Sequence, residues 1–200
     1  MSGNAQHSSA SMEHGTPIEV VELARAIGGG TIDTDPFSSA RWNRHIKATV
    51  FYDKEHDGLT SHWAGFCLVN PPGGVTKMVG GKRVTVVPSL VRPAWERLVT
   101  EWRRGMIDGA LWVSFSLEQL CLLQGSPAHP LQFPTAVPCE RLRYLTIPAA
   151  GGPPVPGTQP THASALTLLP SQRDQSLARQ QMRRFVDGAG RLGALVRPLV

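Results

Sequence analysis

Five consecutive residues without a polar side chain, residues 65–69, precede the segment Asn70-Pro71-Pro72-Gly73. A strand that faces water on one side alternates apolar and polar residues, whereas a strand covered on both faces is apolar throughout. Proline has a fixed φ and no N–H group, so two prolines in succession end the strand and keep Asn70 out of a helix. The sequence therefore predicts a strand that is buried on both faces, as in a covered parallel sheet, and that stops at Asn70.

The rest of the chain alternates between strand-like and helix-like patterns. Runs rich in apolar and β-branched residues predict strands at residues 31–34, 48–52, 65–69, 110–115, 141–145 and 164–169. Apolar residues at three- and four-residue spacing predict helices at residues 17–27, at 93–104, at 116–123 and after residue 174. Residues 73–84, 125–138 and 149–161 are expected to be loops. Strands that alternate with helices predict an α/β fold, a sheet with flanking helices.

The first predicted helix begins with the pattern of a capping box. We expect Thr16 to cap this helix, with Pro17 at the first helical position and Glu19 three residues after the cap. Three successive glycines, residues 28–30, are expected to end it.

A chain of 200 residues, of which 41% are hydrophobic, is long enough for one domain with a core. Residues 1–12 lack hydrophobic periodicity and are predicted to be a disordered tail, which leaves residues 13–200 as the domain. No stretch is apolar for long enough to cross a membrane, and the polar start lacks the core of a signal peptide. We therefore expect a cytoplasmic protein without a membrane partner.

The cysteines and histidines do not have the spacing of a disulfide framework or a metal site. The three cysteines are an odd number with no C-x-x-C pair, and the seven histidines show no H-E-x-x-H or comparable pattern. The sequence thus predicts no metal, and it does not determine the oligomeric state.

The charges are divided unequally along the chain. Residues 1–80 contain six Lys or Arg and eight Asp or Glu, a balance of −2, whereas residues 81–200 contain fourteen and seven, a balance of +7. Thirteen of these fourteen cations are arginine, whose planar guanidinium suits phosphate and base edges. A polyanionic partner such as double-stranded DNA is therefore one interpretation, and an ordinary solvated helix surface is the other.

Two polar loops directly follow predicted strands. They comprise residues 33–39, Asp-Thr-Asp-Pro-Phe-Ser-Ser, and residues 70–74, Asn-Pro-Pro-Gly-Gly. Ligands of open α/β sheets bind beyond the carboxyl ends of the strands, which is where both loops are expected. A rigidly held Asn70 amide could hold an exocyclic amino group, and the alternative is a Pro-Pro turn in which Asn70 bonds to local backbone.

The order of these motifs resembles that of the phage-type DNA adenine methyltransferase family, a branch of the class I S-adenosylmethionine-dependent fold. Thr16-Pro17 resembles the family's opening Thr-Pro, and residues 33–39 resemble its cofactor motif. Asp57-Gly58-Leu59 with Trp63 resembles its D-G-L…W segment, and Asn70-Pro71-Pro72 resembles its catalytic motif, Asn/Asp-Pro-Pro-aromatic.

The resemblance continues to residue 169, because residues 141–145 and 164–169 resemble the family's closing pair of strands. It implies a single-domain, Rossmann-like class I methyltransferase fold encoded by a phage or prophage, which would act in the cytoplasm of a bacterial host. The implied activity is transfer of a methyl group from S-adenosylmethionine to a base amino group of DNA, first of all adenine N-6.

The resemblance also implies site residues. Asn70, Pro71, Pro72 and Gly73 correspond to the catalytic motif, in which the Asn70 oxygen and the Pro71 carbonyl would accept the two amino hydrogens. The implied cofactor-binding residues are Thr16, Pro17, Asp33, Asp35, Pro36, Phe37, Ser38, Tyr52 and Asp57. Among these, Asp33 is less favoured than Asp35. For Asp33 and Asp57 the alternative to cofactor binding is an ordinary position in a turn. For Tyr52 the alternative is packing in the core.

The sequence departs from the family pattern at two places. The fourth position of the catalytic motif is Gly73, although an aromatic ring there normally lies against the target base after the base has left the stack. Trp42, Trp112 or Phe115 would have to replace that ring, the bound base would have to differ, or activity would be lost. The cofactor loop also has Pro36-Phe37-Ser38-Ser39 in place of a Gly-rich turn.

Gly73 therefore leaves other functions open: an inactive methyltransferase-fold protein that binds DNA, or an amino methyltransferase for cytosine or a modified base. Lys77, Lys82 and Arg83 follow the catalytic motif and are expected to contact DNA phosphate, with solvated loop charges as the alternative.

Overall fold

A computed structural model describes residues 14–148, 152–157 and 162–196, so the predicted tail at residues 1–12 lies outside the described residues. The helices described are α1 (Ile18–Ile27), α2 (Ala40–Ile46), α3 (Val91–Arg103), α4 (Glu118–Leu122) and α5 (Gln175–Ala189). The strands described are β1 (Thr34–Asp35), β2 (Val50–Phe51), β3 (Phe66–Val69), β4 (Val75–Val79), β5 (Lys82–Val87), β6 (Gly109–Ser114), β7 (Thr135–Pro138), β8 (Leu145–Thr146), β9 (Val155–Pro156), β10 (Ala165–Leu169) and β11 (Gly193–Val196).

Seven of these strands form one mixed sheet in the order β11-β7-β10-β6-β3-β1-β2. The strands β2, β1, β3 and β6 run parallel to one another, and β10 runs antiparallel to both of its neighbours, β6 and β7. The remaining strands pair as two small antiparallel sheets, β4 with β5 and β8 with β9. The expected α/β fold is thus confirmed, in a form compatible with a Rossmann-like sheet.

The strand β3 is buried on both faces, as its apolar sequence predicts. Phe66 and Leu68 pack into a cluster with α1, α2 and α5, whereas Cys67 and Val69 pack into a second cluster with α3. Each face of the sheet is therefore covered by helices, and the middle of the sheet lies in a continuous core. No helix in the described ranges is both long and apolar enough to span a bilayer.

The local pattern was sufficient for the long helices but not for several strands. The structure contains a helix, α2, that the sequence analysis did not predict, and Ser39 caps it by accepting a hydrogen bond from the Trp42 N–H. Residues 135–138, expected to be loop, form β7 of the main sheet, and β11 was not predicted. Residues 141–145, expected to be a strand of the sheet, contribute only Leu145, in the separate β8–β9 pair.

The basic segment after residues 70–73, which was expected to be a loop, forms two strands. The strands β4 and β5 form a hairpin that turns at Gly80 and Gly81, both with positive φ, which is the requirement of a two-residue type I′ turn. Two runs rich in Val and Thr that are separated by a Gly-Gly pair are a hairpin signal that the sequence analysis did not use.

The expected capping box of α1 is not formed. The helix begins at Ile18 with Pro17 in the capping position, and no side chain caps it. The Pro17 carbonyl accepts hydrogen bonds from Val20 and Val21. Because Thr16 is not bonded to the helix, its hydroxyl is available to another part of the chain.

The helix α5 is fastened to the sheet by a buried glutamine. The Gln181 side chain is 1% exposed, accepts a hydrogen bond from the Ser171 N–H at 2.8 Å and donates one to the Asp108 carbonyl at 2.8 Å. Ser171 follows the end of β10 and Asp108 precedes the start of β6. A single side chain therefore provides hydrogen-bond partners for backbone groups at the ends of both strands.

We predict that Gln181→Met lowers the free energy of unfolding by roughly 2–4 kcal/mol, because it leaves two buried backbone groups without partners. Chemical denaturation of the purified protein measures the loss. Gln180→Met is the matched control, since Gln180 is exposed on the same helix, and its effect should stay within about 0.5 kcal/mol. Equal losses in the two variants would show that the Gln181 bonds do not stabilise the fold.

Candidate functional site

The parallel part of the sheet has a switch point between β1 and β3. From β1 the chain passes outward to β2, and it then returns to place β3 on the opposite side of β1. Loops that leave the carboxyl ends of two strands at such a point diverge and open a crevice, the usual ligand site of this architecture. The residues at this edge are Pro36 after β1, Tyr52 after β2, Asn70 after β3 and Phe115 after β6.

Asn70 is half-buried and held by Thr16. The Asn70 Nδ2 donates a hydrogen bond to the Thr16 Oγ1 at 3.0 Å, and Thr16 is 3% exposed. Within the described residues no hydrogen bond reaches the Asn70 Oδ1. Thr16 accepts from one of the two N–H groups of the Asn70 amide, and the amide oxygen remains open to a ligand that donates a hydrogen bond.

The segment that carries Thr16 is attached to the chain near residue 145. Gly15 and Leu145 exchange both backbone hydrogen bonds at 2.8 Å, and the Trp42 ring lies against the Gly15 α-carbon, where a Cβ would be 2.3 Å away. Residues 141–145 were expected to form a strand of the main sheet, and instead Leu145 pairs with Gly15. It brings the start of the domain to the end of β3.

The prolines of the motif join the site to the hairpin. Pro71 is buried, and its carbonyl has no hydrogen-bond partner among the described residues. The Pro72 carbonyl accepts a hydrogen bond from the Leu90 N–H at 3.1 Å. The two ends of the β4–β5 hairpin are therefore joined by the Pro72–Leu90 hydrogen bond, two residues from Asn70.

Asp35, at the end of β1, is a buried carboxyl group without a cationic partner in the described part of the chain. It is 2% exposed, and burial raises its pKa to about 7. The Phe37 N–H, at 3.1 Å from Oδ1, and the nearby Ser38 hydroxyl oppose this rise. A buried carboxylate without a counter-charge is unfavourable, so a cationic ligand beside it would favour its charged form.

The loop after β1 is bonded to the end of β2. The Ser38 N–H donates to the Tyr52 carbonyl at 2.8 Å, and the Tyr52 N–H donates to the Asp35 carbonyl at 3.0 Å. The buried Ser38 hydroxyl lies beside the Asp35 carboxyl, and this contact lowers the pKa of Asp35. The loop after β1 therefore holds Asp35 by its Ser38 hydroxyl as well as by the Phe37 N–H.

The D-G-L…W segment packs on this loop. Gly58 lies so close to the Pro36 carbonyl that a Cβ at Gly58 would be 1.8 Å from its oxygen. The buried Trp63 donates from Nε1 to the Gly58 carbonyl at 2.7 Å and meets the Phe37 ring edge-on, with ring centroids 6.1 Å apart. Asp57 is exposed beside this contact, and its Oδ1 accepts from the Leu59 N–H at 2.9 Å.

Arg97 completes this arrangement and was not identified from the sequence. Its guanidinium donates to the Leu59 and Ser61 carbonyls at 2.6 and 3.1 Å and lies 5.8 Å from the Trp63 ring centroid. Glu101 holds its Nε at 2.9 Å. The residue lies on α3, distant in sequence from the segment, so no local pattern indicates the contact.

Two of the predicted cofactor residues have other partners. The Asp33 Oδ2 accepts a hydrogen bond from the Phe66 N–H at 2.7 Å, at the amino end of β3 and therefore away from the edge that carries Asn70. The Tyr52 hydroxyl donates to the His62 carbonyl at 2.6 Å, although Tyr52 itself lies at the predicted edge. Pro17 begins α1 beside Thr16.

The predicted DNA contacts lie on the hairpin. Lys77, on β4, and Lys82 and Arg83, on β5, are all exposed. Within the described residues no group of three or more His, Cys, Asp or Glu side chains is placed to hold a metal ion.

Two open surface depressions lie elsewhere, against residues 138–145, near the edge formed by β7 and β11. Their lining contains none of the predicted catalytic, cofactor-binding or DNA-binding residues. Comparison of the chain with protein-family models, with curated proteins and with solved structures finds no match. The assignment of the site therefore depends on its own geometry and chemistry.

We predict that Asp35→Asn raises the free energy of unfolding at pH 8 by roughly 3–4 kcal/mol. The pKa of Asp35 is raised by folding, so wild-type stability falls as the pH rises from about 4 to about 7. Below this range both variants are neutral and equally stable. Denaturant unfolding at pH 4, 6 and 8 measures the difference.

Asp187→Asn, on the exposed face of α5, is the matched control and should leave the pH dependence unchanged. An Asp35→Asn variant as pH-dependent as the wild type would mean that Asp35 is ionised at no cost in the folded protein.

Proposed function

We propose that this protein transfers a methyl group from S-adenosylmethionine to a base amino group of DNA, with adenine N-6 as the first candidate. One juxtaposition carries the proposal: the open Oδ1 of Asn70 and the unneutralised carboxyl of Asp35 follow neighbouring strands at the switch point of the sheet. The first suits an amino group that donates hydrogen bonds, and the second suits a cationic cofactor.

The residues at the end of β1 fit the cofactor. S-adenosylmethionine has a sulfonium and an ammonium group, and either would supply the counter-charge that Asp35 lacks. Phe37, packed on Trp63, gives the same loop an apolar surface, and Tyr52 and Asp57 lie at its borders. Thr16 and Asp33, also implied as cofactor residues, are engaged with Asn70 and β3.

The chain's own contribution to the reaction is to position one nitrogen. The bound cofactor supplies a methyl group on a sulfonium, which departs as a thioether when the nitrogen forms its bond to carbon. The Asn70 Oδ1 accepts one amino hydrogen and the Pro71 carbonyl accepts the other, which directs the nitrogen lone pair toward the methyl carbon. The nitrogen then loses one of these protons to water.

The hairpin extends the site toward the DNA. It has three cations, Lys77, Lys82 and Arg83, and no acidic residue, and it is exposed along both strands. A two-stranded β-ribbon fits the major groove of duplex DNA. Because its base is closed at Pro72 and Leu90, phosphate contacts by the hairpin would fix the position of the DNA relative to Asn70.

We include a single-domain class I methyltransferase fold in the same proposal. The loops of the switch point have the order of the class I methyltransferase motifs, from Thr16-Pro17 through residues 33–39 to Asn70-Pro71-Pro72. A phage or prophage origin, with the protein in the cytoplasm of a bacterial host, is the setting in which this activity is expected.

We predict that Asn70→Ala lowers methyl transfer at least about 100-fold and leaves cofactor affinity within a few-fold, because the proposal assigns Asn70 to the base and not to the cofactor. Mass spectrometry of nucleosides from mixed-sequence duplex DNA measures transfer and identifies the methylated base. Calorimetry with S-adenosylmethionine measures binding, where Asp35→Asn should weaken the affinity roughly 10- to 100-fold.

Thr16→Val and Thr16→Ser are a matched pair for this experiment. The valine variant removes the oxygen that holds the Asn70 amide and should lower kcat, whereas the serine variant keeps that oxygen and should retain activity. No heat with the cofactor would contradict the proposed function. Binding of the cofactor and of DNA without methyl transfer would favour an inactive DNA-binding protein. Methylated cytosine among the nucleosides would show that cytosine, and not adenine, is the substrate.

We predict that DNA affinity falls steeply with salt, with a slope of roughly −4 to −5 in log affinity against log salt for four to six phosphate contacts. Lys82→Ala with Arg83→Ala should flatten the slope by about two units. Fluorescence anisotropy with a labelled duplex measures it. Arg179→Ala with Arg183→Ala, exposed on α5, is the control for a merely basic surface, and an equal effect of the two pairs would contradict a specific role for the hairpin.

A further inference from the structure

The Phe115 ring stands over Gly73. Phe115 is the first residue after β6, and a Cβ placed on Gly73 would be 2.7 Å from the Phe115 Cζ and 3.5 Å from two further ring atoms. The space into which a side chain at position 73 would begin is thus occupied by the end of an aromatic ring from the neighbouring strand. Gly73 does not have a positive φ, so its backbone does not require glycine.

The other two candidate rings are in the core. Trp42 is 5% exposed and packs on Gly15. Trp112 is fully buried, donates from Nε1 to the Ser114 hydroxyl at 2.9 Å and meets the Trp95 ring at a centroid distance of 5.1 Å. Phe115 is only half-buried. Of the three rings, Phe115 is the one at the edge that carries Asn70.

Phe115 is thus a half-buried ring at the carboxyl end of β6, the strand that pairs with β3 and lies beside the loop of Asn70 and Gly73. A base that has left the stack is held by an aromatic ring against its face and by hydrogen bonds at its edge.

We propose that Phe115 is the residue that stacks on the target base, so that the aromatic ring of the catalytic motif has moved from position 73 to the end of β6. This inference rests on the proposed function and names the pocket in which that function would occur. Gly73 is then required because any side chain there would displace the ring.

The first experiment measures methyl transfer to mixed-sequence duplex DNA. Phe115→Ala should lower kcat/KM for DNA roughly 10- to 100-fold, the effect of losing one base–aromatic stack, and it should leave the calorimetric affinity for S-adenosylmethionine unchanged. Phe115→Trp should keep most of the activity. Leu117→Ala, on the exposed part of the same loop, is the control and should transfer at the wild-type rate.

The second experiment moves the ring back. Gly73→Phe alone should be inactive, because the new side chain collides with Phe115, and Gly73→Phe combined with Phe115→Ala should recover transfer to within about 10-fold of the wild type. Unfolding provides a readout that does not depend on activity. Gly73→Ala should lower the denaturation midpoint in the wild-type background and leave it unchanged in the Phe115→Ala background.

The outcomes separate the inference from the proposed function. An equal cost of Gly73→Ala in both backgrounds would overturn the placement of the ring, whether or not the protein transfers methyl groups. Full transfer by Phe115→Ala, or an inactive double variant, would overturn the stacking role alone. A wild-type protein that binds no cofactor would overturn the proposed function, and the stacking role with it.

Discussion

The burial of β3 on both faces is the constraint on which the rest of the structure depends. Its four side chains alternate between the two core clusters. A shift of the strand by one residue would put Cys67 and Val69 into the places of the larger Phe66 and Leu68, and the reverse on the other face. The register of β3 between β1 and β6 is therefore fixed, and with it the point at which Pro71 and Pro72 end the strand. Asn70 lies at the carboxyl end of β3 because the packing of Phe66–Val69 in the core fixes where the strand ends.

The site combines parts that are stable with parts that are not. Trp63, Arg97 and Gly58 form a well-bonded support beneath the loop after β1. On that support, Asp35 remains buried, and no cationic group among the described residues pairs with it. A buried carboxylate without a counter-charge reduces stability, and its position at the carboxyl end of β1 suits a site for a cationic ligand.

The sequence predicted the elements whose evidence is local. The helices α1, α3 and α5 have apolar stripes over ten or more residues, and their positions are confirmed. The predictions failed where the evidence is not local: β7 and β11 are short, and they are strands because β10 and each other provide hydrogen-bond partners. Residues 141–145 have a strand-like composition, but Leu145 pairs with Gly15 and with Pro156 of β9, and not with a strand of the main sheet.

By itself the sequence determined that the chain forms an α/β fold and that Asn70 and Asp35 follow strands, because burial patterns and proline act within a few residues. Only the tertiary structure decided which atoms meet. Thr16 holds the Asn70 amide although 54 residues separate them, and Phe115 covers Gly73 from another strand. Such contacts depend on how the strands are ordered in the sheet, and strand order is set by the packing of the whole core and not by the residues next to each strand.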